Sequence, residues 1–161
     1  RTTKPLVGDT TLAADPINKL RERNKWFNLH SDTLPLVLTS DQEAGVDEYY
    51  RTNGKANVER WSAMINAHVK WLQENSKHPV VGVSPFNEPD YWQEEGATET
   101  NSRDIAKRLK EEYASRFNDI AIVGGNTLND DKASEWFTPG KDYYDWGNTH
   151  QLAGSMNNYN L

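Results

Sequence analysis

Three short apolar runs with β-branched residues, and a fourth, aromatic run with polar residues at its end, recur along this chain with helical stretches between them. The runs cover 34–39, 80–86, 120–124 and 143–150. Between the first two, Val58, Trp61, Ile65, His68 or Val69, and Leu72 fall three or four apart, behind Asn57 as a cap. That helix should end near Ser76, ahead of His78-Pro79. Between the second and third runs, Ile105, Leu109, Tyr113 and Phe117 follow at four-residue steps, and Asn101 and Asp104 have capping-box spacing. A short helical stretch over 132–137, closed by Pro139-Gly140, leads to the fourth run. Ahead of the first run, Asp15-Pro16 opens a helix with an imperfect stripe of Ile17, Leu20, Trp26 and Phe27. Asn53-Gly54 marks a turn. Strands joined by crossover helices are parallel, and continuous apolar runs indicate burial on both faces. The expectation is an α/β fold forming one domain over 1–161.

Two architectures meet that pattern: an open doubly wound sheet, or part of a (β/α)8 TIM barrel. No G-x-G-x-x-G or G-x-x-x-x-G-K-[ST] follows any run, which counts against a phosphate-binding doubly wound domain. A full barrel takes roughly 250 residues, so four strands make about half of one. The net charge of −6 opposes general affinity for nucleic acid or anionic membranes. No run approaches the roughly 18 apolar residues of a membrane span. With no cysteine, disulfides and thiolate metal sites are excluded. Hydrophobic content of 35% and mean hydropathy of −0.90 are low. Yet 6 Trp, 7 Tyr and 4 Phe are too many aromatics for a disordered chain, which points to a fold rich in surface and loop.

The second run ends in Ser84-Pro85-Phe86-Asn87-Glu88-Pro89, followed by Asp90-Tyr91-Trp92. This puts a carboxylate at the carboxyl end of a buried parallel strand, where ligands bind in barrels and open α/β sheets. A general acid needs a fixed position and partial burial, and a strand end supplies both. Tyr91, Trp92 and Trp146 are candidates for ligand contact. Trp61 and Trp71 read as helix-to-sheet packing, and Trp136 as either core or ligand contact. His30 and His68 read as structural and His78 as a loop residue. His150, at the end of the fourth run, is a site candidate. No histidine spacing suits a catalytic metal. Asp41-Gln42-Glu43 follows the first run and reads as an acidic loop.

A strand running into Asn-Glu-Pro resembles the strand-four signature of glycoside hydrolase clan A, the retaining (β/α)8 glycosidases. The resemblance implies that Glu88 is the acid/base and Asn87 a sugar ligand. It makes 34–39 strand three, 120–124 strand five and 143–150 strand six. Thr149-His150-Gln151 then falls where clan members carry a His or Tyr beside the nucleophile or the sugar. The implied activity is hydrolysis of O-glycosidic bonds in a polysaccharide or oligosaccharide with retention, endo-acting, without cofactor or metal, in a secreted or periplasmic protein. The clan's nucleophile is a second glutamate after strand seven, and none of Asp41, Glu43, Asp90 and Asp145 holds that position. The expectation is therefore the central part of a larger barrel, whose remaining segments are partners of this one. The alternative is a non-catalytic carbohydrate-binding or interaction domain on an α/β scaffold.

Overall fold

The computed structural model describes residues 6–7, 11–12, 14–30, 33–40, 50–91 and 96–150. Strands β1 (Leu6–Val7) and β2 (Thr11–Leu12) form an antiparallel pair ahead of helix α1 (Ala14–His30). Strand β3 (Leu36–Thr39) follows, then β4 (Arg51–Thr52) and β5 (Lys55–Ala56), a hairpin. Helix α2 (Val58–Asn75) leads to β6 (Val80–Ser84), and α3 (Glu99–Glu111) with α4 (Ala114–Phe117) leads to β7 (Ala121–Thr127). Helix α5 (Ala133–Phe137), between two 3₁₀ turns, leads to β8 (Trp146–Thr149). The main sheet has the order β3-β6-β7-β8 and every pairing in it is parallel. This is the α/β fold expected from the alternation. Among the described residues no helix is long and apolar enough to cross a membrane.

The strand order follows the chain order. Right-handed crossovers between successive neighbours place their helices on one face of the sheet. In agreement, α2 packs against α3, and α3 against α5 and the turn Thr138–Gly140. That face carries the core, where Val83 and Ile122 meet Trp61, Ile65, Ile105, Leu109 and Phe117. Each such side chain contributes about 1.5–3 kcal/mol by leaving water. The opposite face gathers Val37, Val123 and Trp146 around Gly82, where a Cβ would lie 3.3–3.5 Å from their side chains. There Val37 and Trp146 remain 52% and 49% exposed while Val123 is buried, so this face is covered only in part.

Helix α2 has the expected limits, with Asn57 accepting the Arg60 N–H at 3.0 Å. Asn53 and Gly54 both take positive φ, 53° and 74°, as a two-residue type I′ hairpin turn requires. Helix α3 corrects the sequence reading twice. Its cap is Thr98, which accepts the Asn101 N–H at 3.0 Å, so Asn101 is the third helical residue and not the cap. The helix also stops before Tyr113. Residues spaced by four advance about 40° around a helix at each step, so Phe117 would stand about 120° from Ile105 in a continuous one. The break at Tyr113 lets both reach 0% exposure. The fourth strand is shorter than expected because Tyr143 and Tyr144 belong to the preceding turn, both donating to the Gly140 carbonyl. His78 is no ordinary loop residue. It is 2% exposed and its Nδ1 accepts the Leu34 N–H at 2.7 Å, while Nε2–H donates to Asn28 at 2.9 Å. It ties α1 to the approach of β3. His68 is structural as expected, bonded to the Met64 carbonyl at 2.9 Å.

Candidate active site

The turn after β6 is fixed at nearly every residue. Trp61 Nε1–H donates to the Pro85 carbonyl at 3.0 Å, and the Phe86 ring stands edge-on to Trp61 with centroids 5.3 Å apart. The Phe86 carbonyl accepts from Ser84 Oγ and from Asn126 Nδ2, both at 2.8 Å. The Asn87 N–H reaches the Ser40 carbonyl beyond β3 at 2.8 Å, and the Glu88 N–H reaches the Asn126 carbonyl in β7 at 2.9 Å. One turn is thus pinned to the ends of both neighbouring strands. Glu88 sits in the left-handed region at φ 49°. For a non-glycine residue that costs about 1–3 kcal/mol and persists only where surrounding bonds over-determine it.

The Glu88 carboxyl leans toward β8. Its Oε1 lies 2.7 Å from His150 Nδ1, and the two side chains are 21% and 24% exposed. His150 Nε2 lies 2.9 Å from Asn126 Oδ1, which also accepts from Asn148 Nδ2 at 2.7 Å. Strand β7 is irregular just here. Gly125 and Asn126 have φ of 73° and 55°, and the pairing with β8 shifts between Gly125 and Thr127. The irregularity turns Asn126, 1% exposed, toward the Glu88 end of the sheet. The His150 N–H continues the ladder to the Thr127 carbonyl at 2.7 Å, which sets the imidazole in place.

The structure brings Glu88 and His150 together. The Asn87 side chain is half-buried, with no hydrogen-bond partner among the described residues. Tyr91 donates its N–H to the Glu88 carbonyl at 3.0 Å and is 63% exposed. Trp146 is not brought to this cluster. It opens β8 and lies over Gly82, about a strand length of some 10 Å from the end that carries His150. Trp136 is core, at 0% exposure. Trp92, Asp41, Glu43 and Gln151 lie outside the described residues.

Two carboxylates can be placed. Asp90 gives both oxygens to the backbone N–H groups of Leu128 and Asn129, at 2.7 and 3.2 Å. Asp145 precedes β8, at the opposite end of the sheet from Glu88, and accepts from Lys110 and the Ile122 N–H. Burial pushes its pKa up, but those two hydrogen bonds outweigh burial and hold it below the usual carboxylate value. Neither is free to act as a second reacting group beside Glu88. Among the described residues no group of three or more His, Asp or Glu could hold a metal ion.

Asn126 and Asn148 were not singled out by the sequence. Asn148 is two residues from His150, and period two puts both on one face of a strand. Asn126 ends the strand next to the one that ends in Glu88. Those two relations are the signal that could have found them. No protein-family model and no curated protein matches the chain.

Proposed function

We propose that this chain carries the acid/base half of a retaining glycoside hydrolase site, on part of a (β/α)8 barrel. The observation that carries the reading is Glu88: a half-buried carboxyl at the carboxyl end of an inner parallel strand, strained into place and hydrogen-bonded to His150 at 2.7 Å. The strand order supports the barrel. A doubly wound sheet reverses its order at a switch point, whereas β3-β6-β7-β8 runs in chain order with its helices on one face. In this reading the partly covered face around Gly82 would be the barrel interior.

In this reading Glu88 protonates the leaving oxygen while a second carboxylate, outside the described residues, attacks the anomeric carbon. Glu88 then takes a proton from the water that releases the sugar. The Asn87 side chain, without a partner among the described residues, would bond a sugar hydroxyl, and the exposed Tyr91 ring would stack on the substrate.

The test is turnover by Glu88→Gln against the unaltered protein, with the second carboxylate supplied by the whole barrel. On polysaccharide the variant should lose about 10²–10⁴-fold in rate, the usual contribution of a general acid. On aryl glycosides with good leaving groups the first step needs little protonation, and the loss should be far smaller. Equal losses on both would remove Glu88 from the acid role. Glycan binding with no turnover of any substrate would favour the non-catalytic binding domain.

A further inference from the structure

The orientation of the Asn126 amide follows from its neighbours. The Phe86 carbonyl can only accept, so the Asn126 atom 2.8 Å from it is Nδ2. Oδ1 therefore faces His150 Nε2 at 2.9 Å and Asn148 Nδ2 at 2.7 Å. An amide oxygen cannot donate, so His150 Nε2 must carry a hydrogen. With that hydrogen in place, the 2.7 Å contact between His150 Nδ1 and Glu88 Oε1 has room for one proton. It resides on Nδ1 against a carboxylate, or on the carboxyl against a bare Nδ1.

We propose that Asn126 is a positioning residue that locks His150 in the Nε2–H form, so that Glu88 and His150 share a single transferable proton. Without the lock, a neutral imidazole would place its hydrogen on Nδ1 and leave Glu88 ionised, with nothing to donate. With it, a neutral His150 presents a lone pair to Glu88, and the pair is favourable only when the carboxyl is protonated. Asp90, two residues on, has both oxygens on backbone N–H groups and does not compete for His150. The use of this proton rests on the hydrolase reading. The Glu88 O–H bond breaks as the proton passes to the glycosidic oxygen, which keeps the electron pair of the broken C–O bond. Emptied, the pair sets two lone pairs 2.7 Å apart, so Glu88 is driven to take a proton from the attacking water.

The tautomer itself can be read without any substrate. Imidazole ¹⁵N NMR on the full chain should show His150 Nε2 carrying a hydrogen. Asn126→Ala should move the hydrogen of the neutral ring to Nδ1. Because Asn126 is buried, substitution at the less buried Glu88, Glu88→Gln, gives a second reading: the Gln amide donates to Nδ1, and Nε2 keeps its hydrogen. A bare Nε2 in the unaltered protein or in Glu88→Gln overturns the proposal, as does an unchanged tautomer in Asn126→Ala. A locked Nε2–H in a protein that cleaves no glycan supports the shared proton and overturns the hydrolase reading alone.

Discussion

Tyr144 lays its ring across Gly124 and Gly140, where a Cβ would fall 2.1 and 2.4 Å from it, and meets Ser102 with its hydroxyl at 2.9 Å. Burial pushes its pKa up to about 12 from 10.0, against Ser102 and Arg103, which lower it. The unfolded chain ionises this group first, so its contribution to stability is complete below pH 10 and is lost as the pH rises to 12. A difference of that size corresponds to roughly 2–3 kcal/mol. Urea unfolding between those pH values should therefore show a falling midpoint, and Tyr144→Phe should remove that part of the slope. A variant with the unaltered slope would place the alkaline loss elsewhere. At this scale the sequence was legible where local pattern fixes position, as with Glu88 past the end of a buried strand or Asn53-Gly54 in a turn. It was not legible where a side chain works through distant partners. Nothing local says that His78 will reach Leu34 and Asn28, or that Asn126 will face His150 across two strand ends.

Helix caps divide in the same way. Asn57 is readable because a single capping residue stands before the apolar stripe of α2. Ahead of α3, Thr98 and Asn101 are both capping types, and the choice between them depends on where the chain arrives from the Glu88 turn. Thr98→Ala should lower stability by about 1 kcal/mol in urea unfolding, whereas Asn101→Ala should cost less because the Thr98 hydroxyl still accepts the residue 101 N–H. The opposite ranking would return the cap to Asn101. The break before α4 has a general lesson. Four-residue spacing looks like a constant face over one or two steps and is not one over three. The four strands of the main sheet were legible in chain order, because apolar runs between helices leave few alternatives, whereas the two-residue strands β1, β2, β4 and β5 are too short to carry a pattern. The ends of the main-sheet strands were not, because Tyr143 and Tyr144 suit a strand by type and a turn by contact.

For the molecule as a whole, the sheet face around Gly82 is covered only in part among the described residues. All-parallel sheets are covered on both faces in folded proteins. Here Val37 and Trp146 stay about half exposed on one face, and β3 and β8 are the edges of the sheet among the described residues. Residues 1–161 alone should self-associate with rising concentration in sedimentation velocity. Val37→Lys, on an edge strand, should shift the balance to monomer with little change in stability. A monomer at all concentrations would mean that the face is covered. The strand order has a consequence of its own. Every neighbouring pair in β3-β6-β7-β8 is also consecutive in the sheet-forming chain, and no later strand is inserted between earlier ones. Such a sheet grows by accretion at its rims. A further strand–helix unit docks without any existing pairing being opened, so it need not be covalently continuous with this chain. The architecture is therefore suited to complementation in trans, in which separately made pieces assemble edge to edge into one working whole.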